Sequence, residues 1–217
     1  HIADVSHYVK EDSKLDKEAI IRGTSVYMMD RVIPMLPKEL SNGLCSLNAG
    51  EDKFTLSVIM EINNKGQVVS SDIRKSIIRV TKRMSYNGVY KILNYLDEQD
   101  NYIKNKNQED EESYRKNKKE YQDIKQYEKY FNDFRLMKEL ALILKEKRTK
   151  DGSLDLDIPE SKIILDENGV AVDVKKYEIT FANEIIEQFM LIANETVAEK
   201  FYWLEAPFIY RVHPVPD

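Results

Sequence analysis

The chain has 217 residues, 42% hydrophobic and 33% charged, which suits one sizeable globular domain or at most two small ones. Ile, Val, Leu and Tyr are too plentiful for wholesale disorder, and 7 Gly and 6 Pro exclude a collagen-like or low-complexity chain. A net charge of −5 argues against an indiscriminate nucleic-acid binder, and no apolar run approaches the roughly 18 residues that span a bilayer.

His1 to Val9 alternates well enough to predict a strand that begins mid-element. A short helix opens at Leu15-Asp16, with Asp16 capping free backbone N–H groups and Leu15 stapling against Ile20. Gly23 suits the left-handed position that ends it. Thr24 to Met29 is β-branched and aromatic, hence extended. Pro34-Met35-Leu36-Pro37 cannot be helix interior and reads as a rigid loop presenting Met35 and Leu36. Phe54 to Ile62 and Val68 to Val80 read as two long strands joined at Asn63-Asn64-Lys65-Gly66, where Asn and Gly tolerate positive φ.

Ser85 is placed to cap a helix through Val89, Ile92, Leu93 and Leu96. Asp97 to Asn117 is charged and Asn-rich, a solvated loop or polar helix start. From Tyr121 to Leu144, apolar residues recur at spacings of three and four, the pattern of one face of a long amphipathic helix. A second hairpin is predicted from Lys162 to Val174, turning at Asp166-Glu167-Asn168-Gly169. Phe181 to Leu204 is a second long helix, apolar over most of its circumference and so expected to be buried. The order is mixed α and β, with no internal repeat and no marked domain boundary.

Charge is uneven. Lys65 to Lys91 holds seven cations against one anion, Asp72, a stretch that suits a phosphate backbone or a plain solvated surface. Cys45 is alone, so the natural compartment is reducing and intracellular. His1, His7 and His213 lack metal-ligand spacing, and Asp151-Gly-Ser-Leu-Asp155-Leu-Asp157 has the wrong ligand order for a calcium loop. In the last helix Asn183, Glu187 and Asn194 share one stripe among apolar neighbours, where a carboxylate needs a partner. It serves either a helix-packing contact or a ligand hydroxyl. Tyr27 and Tyr86 stand beside small residues that leave a ring open for stacking, though small residues also simply mark turns.

One ordered series carries more information. His1-Ile-Ala-Asp-Val-Ser-His-Tyr-Val, Arg22-Gly-Thr-Ser-Val-Tyr27, Arg31-Val-Ile-Pro-Met-Leu-Pro37 and Leu40-Ser-Asn-Gly-Leu-Cys-Ser-Leu47 closely resemble the catalytic RNB domain of ribonucleases II and R. Arg83-Met-Ser-Tyr86, Gly152-Ser-Leu-Asp-Leu-Asp-Ile-Pro-Glu160, Glu184-Ile-Ile-Glu187-Gln-Phe-Met-Leu-Ile-Ala-Asn194 and Pro207 to His213 follow in the family's order. The resemblance spans essentially the whole chain, is weakest from Asp97 to Glu146, and favours the ribonuclease R branch.

The resemblance implies an α+β fold, a mixed or antiparallel sheet with long amphipathic helices, forming part of a single RNB domain truncated at both ends. It implies that the parent is a processive 3′→5′ exoribonuclease. Such an enzyme releases nucleoside 5′-monophosphates from single-stranded RNA by magnesium chemistry in the cytoplasm, without membrane association. By position, Tyr27 matches the tyrosine that stacks on the 3′-terminal base, and Tyr86 and Glu187 match the pair linked to recognising ribose over deoxyribose. Leu156 stands where the family has a Phe clamping the base stack, and Leu covers a base without stacking on it. The family's metal-binding Asp cluster and its transition-state Arg are expected outside these residues. The chain alone is therefore expected to bind no magnesium and to be inactive, with an exposed edge strand able to dimerise. Two other readings stay open: a non-catalytic RNA-binding homologue, and a protein-interaction module.

Overall fold

A computed structural model describes residues 1–105, 122–154 and 161–212, with 102–105 described by their backbone. The fold is α+β with antiparallel pairing, as expected. The chain forms two compact units, neither continuous in sequence. One contains His1–Ile59, Asp72–Arg83 and Leu156–Glu178; the other contains Met60–Ser71, Met84–Asp155 and Ile179–Asp217. Two of the passages between them, at Ile59–Met60 and Ser71–Asp72, fall within the strands Asp52–Ile62 and Val68–Arg79, where no linker composition marks a boundary in the sequence.

The first unit is built on a sheet ordered β1 (Ile2–Ala3), β4 (Asp52–Ile62) and β5 (Val68–Arg79), with Ile2 opposite Leu56 and Ala3 opposite Thr55. The predicted nine-residue first strand stops after two residues. Asp4 accepts hydrogen bonds from Ser6 Oγ and the His7 N–H, and this local bonding turns Val5–Tyr8 into a short helix, α1. Helix α2 spans Lys14–Arg22, but its cap is Ser13, whose Oγ accepts from the Asp16 N–H. Asp16 instead accepts from the Asp12 N–H, and Ile20 lies exposed, so the predicted cap and staple are both corrected. Gly23 ends the helix at φ +70°. Within the predicted extended stretch only Val26–Tyr27 (β2) pairs, with Val32–Ile33 (β3).

On β4 the alternation is inverted. Lys53, Thr55 and Ser57 are buried, whereas Phe54 and Leu56 are more than a third exposed. Thr55, Ser57 and Ser76 of β5 share hydroxyl hydrogen bonds, and His1 Nδ1 meets Ser57 Oγ at 2.6 Å. Lys53 Nζ donates to the Gly43 carbonyl at 2.9 Å, tying β4 to the π-helical turn Glu39–Leu44, and reaches Glu51 at 2.6 Å. These partners make the burial of polar groups tolerable. The hairpin β6 (Ser161–Leu165) and β7 (Ala171–Lys176) turns where the sequence placed it.

The second unit packs three helices, α3 (Tyr86–Asn105), α4 (Phe131–Lys150) and α5 (Phe181–Trp203), with the hairpin tip around Gly66. Ser85 caps α3, its Oγ accepting from the Gly88 N–H. Asp97 to Asn105 continues α3 as helix; the remainder of the polar stretch, 106–117, lies outside the described residues. The predicted long helix from Tyr121 is broken by a 3₁₀ turn, Lys125–Tyr130, before α4. The break keeps Ile124 and Phe131 both in the core with Ile92, Leu93, Leu96, Phe134, Ala141 and Ile185. Helix α5 is less buried than its composition predicts: Ala182, Ile185, Gln188 and Thr196 face inward, but Met190 is 59% exposed.

Candidate nucleic-acid interface

Tyr27 lies in the first unit on the two-stranded β2–β3 hairpin, opposite Val32. The hairpin turns tightly, with the Met28 N–H donating to the Arg31 carbonyl at 2.8 Å, and the Asp30–Arg31 ion pair closes the turn. Ser25 Oγ accepts from the Met35 N–H at 2.9 Å and Arg22 donates to the Pro34 carbonyl, so the Pro-bounded loop is tied back onto β2. The result is a braced strand holding Tyr27 78% exposed, an aromatic face open to solvent.

Tyr86 and Glu187 lie in the second unit. Tyr86 occupies the first turn of α3 and stays exposed while Val89, Ile92 and Leu93 point to the core. Glu187 is exposed on α5. The sequence suggested a buried carboxylate; it is corrected because Ile185 and Gln188 take the inward positions on either side. The neighbouring acids on α5 are engaged: Glu184 accepts from Lys145 at 2.6 Å and Glu195 from Arg148 at 2.8 Å, both on α4. Glu187 has no such partner among the described residues. Asn183, on the same stripe, is absorbed by the helix cap, its Oδ1 accepting from the Thr180 N–H and Oγ1. That leaves Glu187 and Asn194 as the solvent-facing polar members of the stripe, beside the exposed Met190. Leu156 lies outside the described residues.

The basic stretch is partly neutralised. Arg74 pairs with Asp72, Arg79 makes two hydrogen bonds to Asp52 at 2.7 and 2.8 Å, and Lys75 lies 3.8 Å from Asp4. Two of those anions lie outside the stretch and could not be paired with it from sequence alone. The Arg79 hydrogen bonds hold the Asp52 carboxyl below the usual carboxylate range. Among the described residues no three His, Cys, Asp or Glu side chains gather into a group that could hold a metal ion. The described residues therefore do not fit a two-metal hydrolytic site, and no step through magnesium is assigned to them. Also among the described residues, no helix is long and apolar enough to cross a membrane.

Tyr27 in the first unit, and Tyr86 and Glu187 in the second, are each exposed to solvent. The RNB domain model matches residues 1–217. Over its whole length the chain is 48% identical to Ribonuclease R of Thermotoga maritima, of which it spans 27%. It is 43% identical to Ribonuclease R 1 of Lactococcus lactis subsp. lactis, spanning 24% of that protein. Its fold matches Mycoplasma genitalium RNase R in complex with ribose methylated single-stranded RNA. That match has a TM-score of 0.76 and 28% identity, and covers 98% of this chain and 29% of the other. The chain belongs to the RNB domain family, and it spans about a quarter of the length of the curated relatives it matches.

Proposed function

We propose that these residues supply RNA-channel walls and 3′-end recognition in a processive 3′→5′ exoribonuclease. That enzyme hydrolyses single-stranded RNA to nucleoside 5′-monophosphates in the cytoplasm. The observation that carries this reading is the unbroken family match over residues 1–217 together with relatives named Ribonuclease R. Magnesium belongs to the whole protein, and this chain by itself holds RNA without cutting it.

Tyr27 stacks on the 3′-terminal base; stacking requires only a π-face, so the grip is indifferent to sequence. Tyr86 and Glu187 meet the ribose 2′-hydroxyl. That group both donates and accepts, matching a phenol and an ionised carboxylate. The solvent exposure of all three supports these roles, because a side chain committed to the core has no capacity left for a ligand. Leu156 covers the far end of the base stack without stacking on it.

The test is degradation of a uniformly labelled single-stranded RNA by the full-length protein with magnesium, products resolved by chromatography. Nucleoside 5′-monophosphates are expected. Their absence from a folded preparation defeats the proposal, and RNA binding without product would favour a non-catalytic RNA-binding homologue.

A further inference from the structure

Tyr90 lies one helical turn beyond Tyr86 on α3, about 6 Å along the axis at the usual rise per residue. At this i, i+4 spacing the two side chains occupy the same face. Tyr86 is 45% and Tyr90 39% exposed, and neither ring belongs to the core that Ile92, Leu93 and Leu96 help to fill. Asn87, Lys91 and Asn94 are exposed beside them, and none has a hydrogen-bond or ion-pair partner among the described residues. From Ile73 to Leu96 the sequence contains no acidic residue, and Asp97, the first to follow, is neutralised by Lys138. A two-tyrosine ladder flanked by a lysine and two amides, none with a partner among the described residues, is complementary to a polyanion with aromatic bases.

We propose that Tyr90 and Lys91 extend the RNA contact of Tyr86 by a further nucleotide, Tyr90 stacking on the base and Lys91 meeting its phosphate. This deepens the reading above and rests on Tyr86 meeting RNA. Stacking accounts for an exposed ring, and one phosphate contact accounts for one unpaired cation. Both contacts are blind to sequence and to the 2′-hydroxyl, so this step of the track adds affinity for RNA and single-stranded DNA alike.

The test is fluorescence anisotropy of a labelled oligoadenylate on the full-length protein in EDTA, where binding is read without cleavage, repeated across a series of KCl concentrations. Tyr90→Leu keeps apolar volume against the helices but removes the π-face, and a matched melting temperature will verify folding. It is expected to weaken binding about 5- to 150-fold, the range of one lost base–aromatic stack, while Tyr90→Phe stays within about twofold of the parent. Lys91→Gln is expected to reduce the slope of log affinity against log salt by about 0.7, the signature of one phosphate contact on a single strand. Unchanged affinity in Tyr90→Leu, or an unchanged salt slope in Lys91→Gln, overturns the inference. If Tyr86→Leu still weakens binding in that case, the ribose-contact reading survives alone. If Tyr86→Leu also has no effect, both fail.

Discussion

Lys138 on α4 donates to both carboxylate oxygens of Asp97 on α3, at 2.5 and 2.6 Å. One turn away, Arg135 donates to Asp100 at 2.8 Å, so two ion pairs line the α3–α4 seam above Leu93 and Leu96. Asp97 is 48% exposed and Lys138 27%, which places the pair between a surface and a buried bridge. A double-mutant cycle with Asp97→Ala and Lys138→Ala is expected to return a coupling of about 0.5–1 kcal/mol in urea denaturation, shrinking with added salt. Coupling near zero would mean that the apolar floor alone holds the seam.

Gly66 turns the β4–β5 hairpin at φ +73°, and a Cβ there would stand 3.3 Å from Ile143 Cγ2 on α4. Gly66→Ala is thus penalised twice, by the left-handed backbone and by the crowding. The expected loss is about 1–2 kcal/mol from the backbone alone, read as a lower denaturation midpoint. An unchanged midpoint would mean that the tip moves freely off the helix.

Asp4 is 3% exposed, and its carboxyl is held below the usual range chiefly by the Ser6 hydroxyl. The Lys75 charge and the His7 N–H assist, against a desolvation that pushes the other way. A carboxyl depressed in the folded state stabilises the fold fully above its unfolded value near 3.9, and that contribution is lost as pH falls through the lower folded value. Asp4→Asn is expected to flatten the acid limb of the stability curve below about pH 4. An acid limb identical to the parent's would show that Asp4 ionisation is not linked to folding.

Glu187→Ala in the full-length protein should narrow discrimination between RNA and DNA 3′ ends, on the order of tenfold, by deleting one charge-assisted hydrogen bond to the 2′-hydroxyl. The measurement is the ratio of degradation rates for matched RNA and chimeric substrates ending in deoxyribose. An unaltered ratio removes Glu187 from sugar recognition.

Tyr27→Ala should lengthen the final undegraded oligonucleotide, because the last base loses a contact worth about 1–3 kcal/mol. Gel resolution of end products at long times is sufficient. Limit products of the parent length would assign Tyr27 elsewhere.

Much of this architecture is legible in the residues. Asn63 to Gly66, Gly23 and Ser85 each announce a local geometry through chemistry that no distant contact overrides, and the structure uses all three as read. Periodicity is less informative where neighbours decide. The spacing from Tyr121 to Leu144 satisfies one helical face, yet the chain tightens at Lys125–Tyr130. His1 to Val9 alternates like a strand, but Asp4 finds closer bonding in Ser6 and His7. At the candidate interface the residue types of Glu187 and Asn183 were visible, but their separate fates were not. Only the capping of Thr180 reveals that Asn183 is engaged, whereas Glu187 has no partner among the described residues. Tyr90 was hidden among 13 tyrosines, and its signal was the four-residue step from Tyr86.

The hydroxyl seam of Thr55, Ser57 and Ser76 has a bearing on how the hairpin finds its alignment. Oily interiors accept several near-equivalent fits, whereas two buried alcohols bonded to a third on the neighbouring strand accept one. Sliding β4 by a single residue would swap Thr55 and Ser57 for Phe54 and Leu56 and leave Ser76 of β5 without its mates. Strand registration here is thus policed by directional chemistry. Mutations that merely preserve bulk, such as Thr55→Val, should blur the alignment before they unfold the chain.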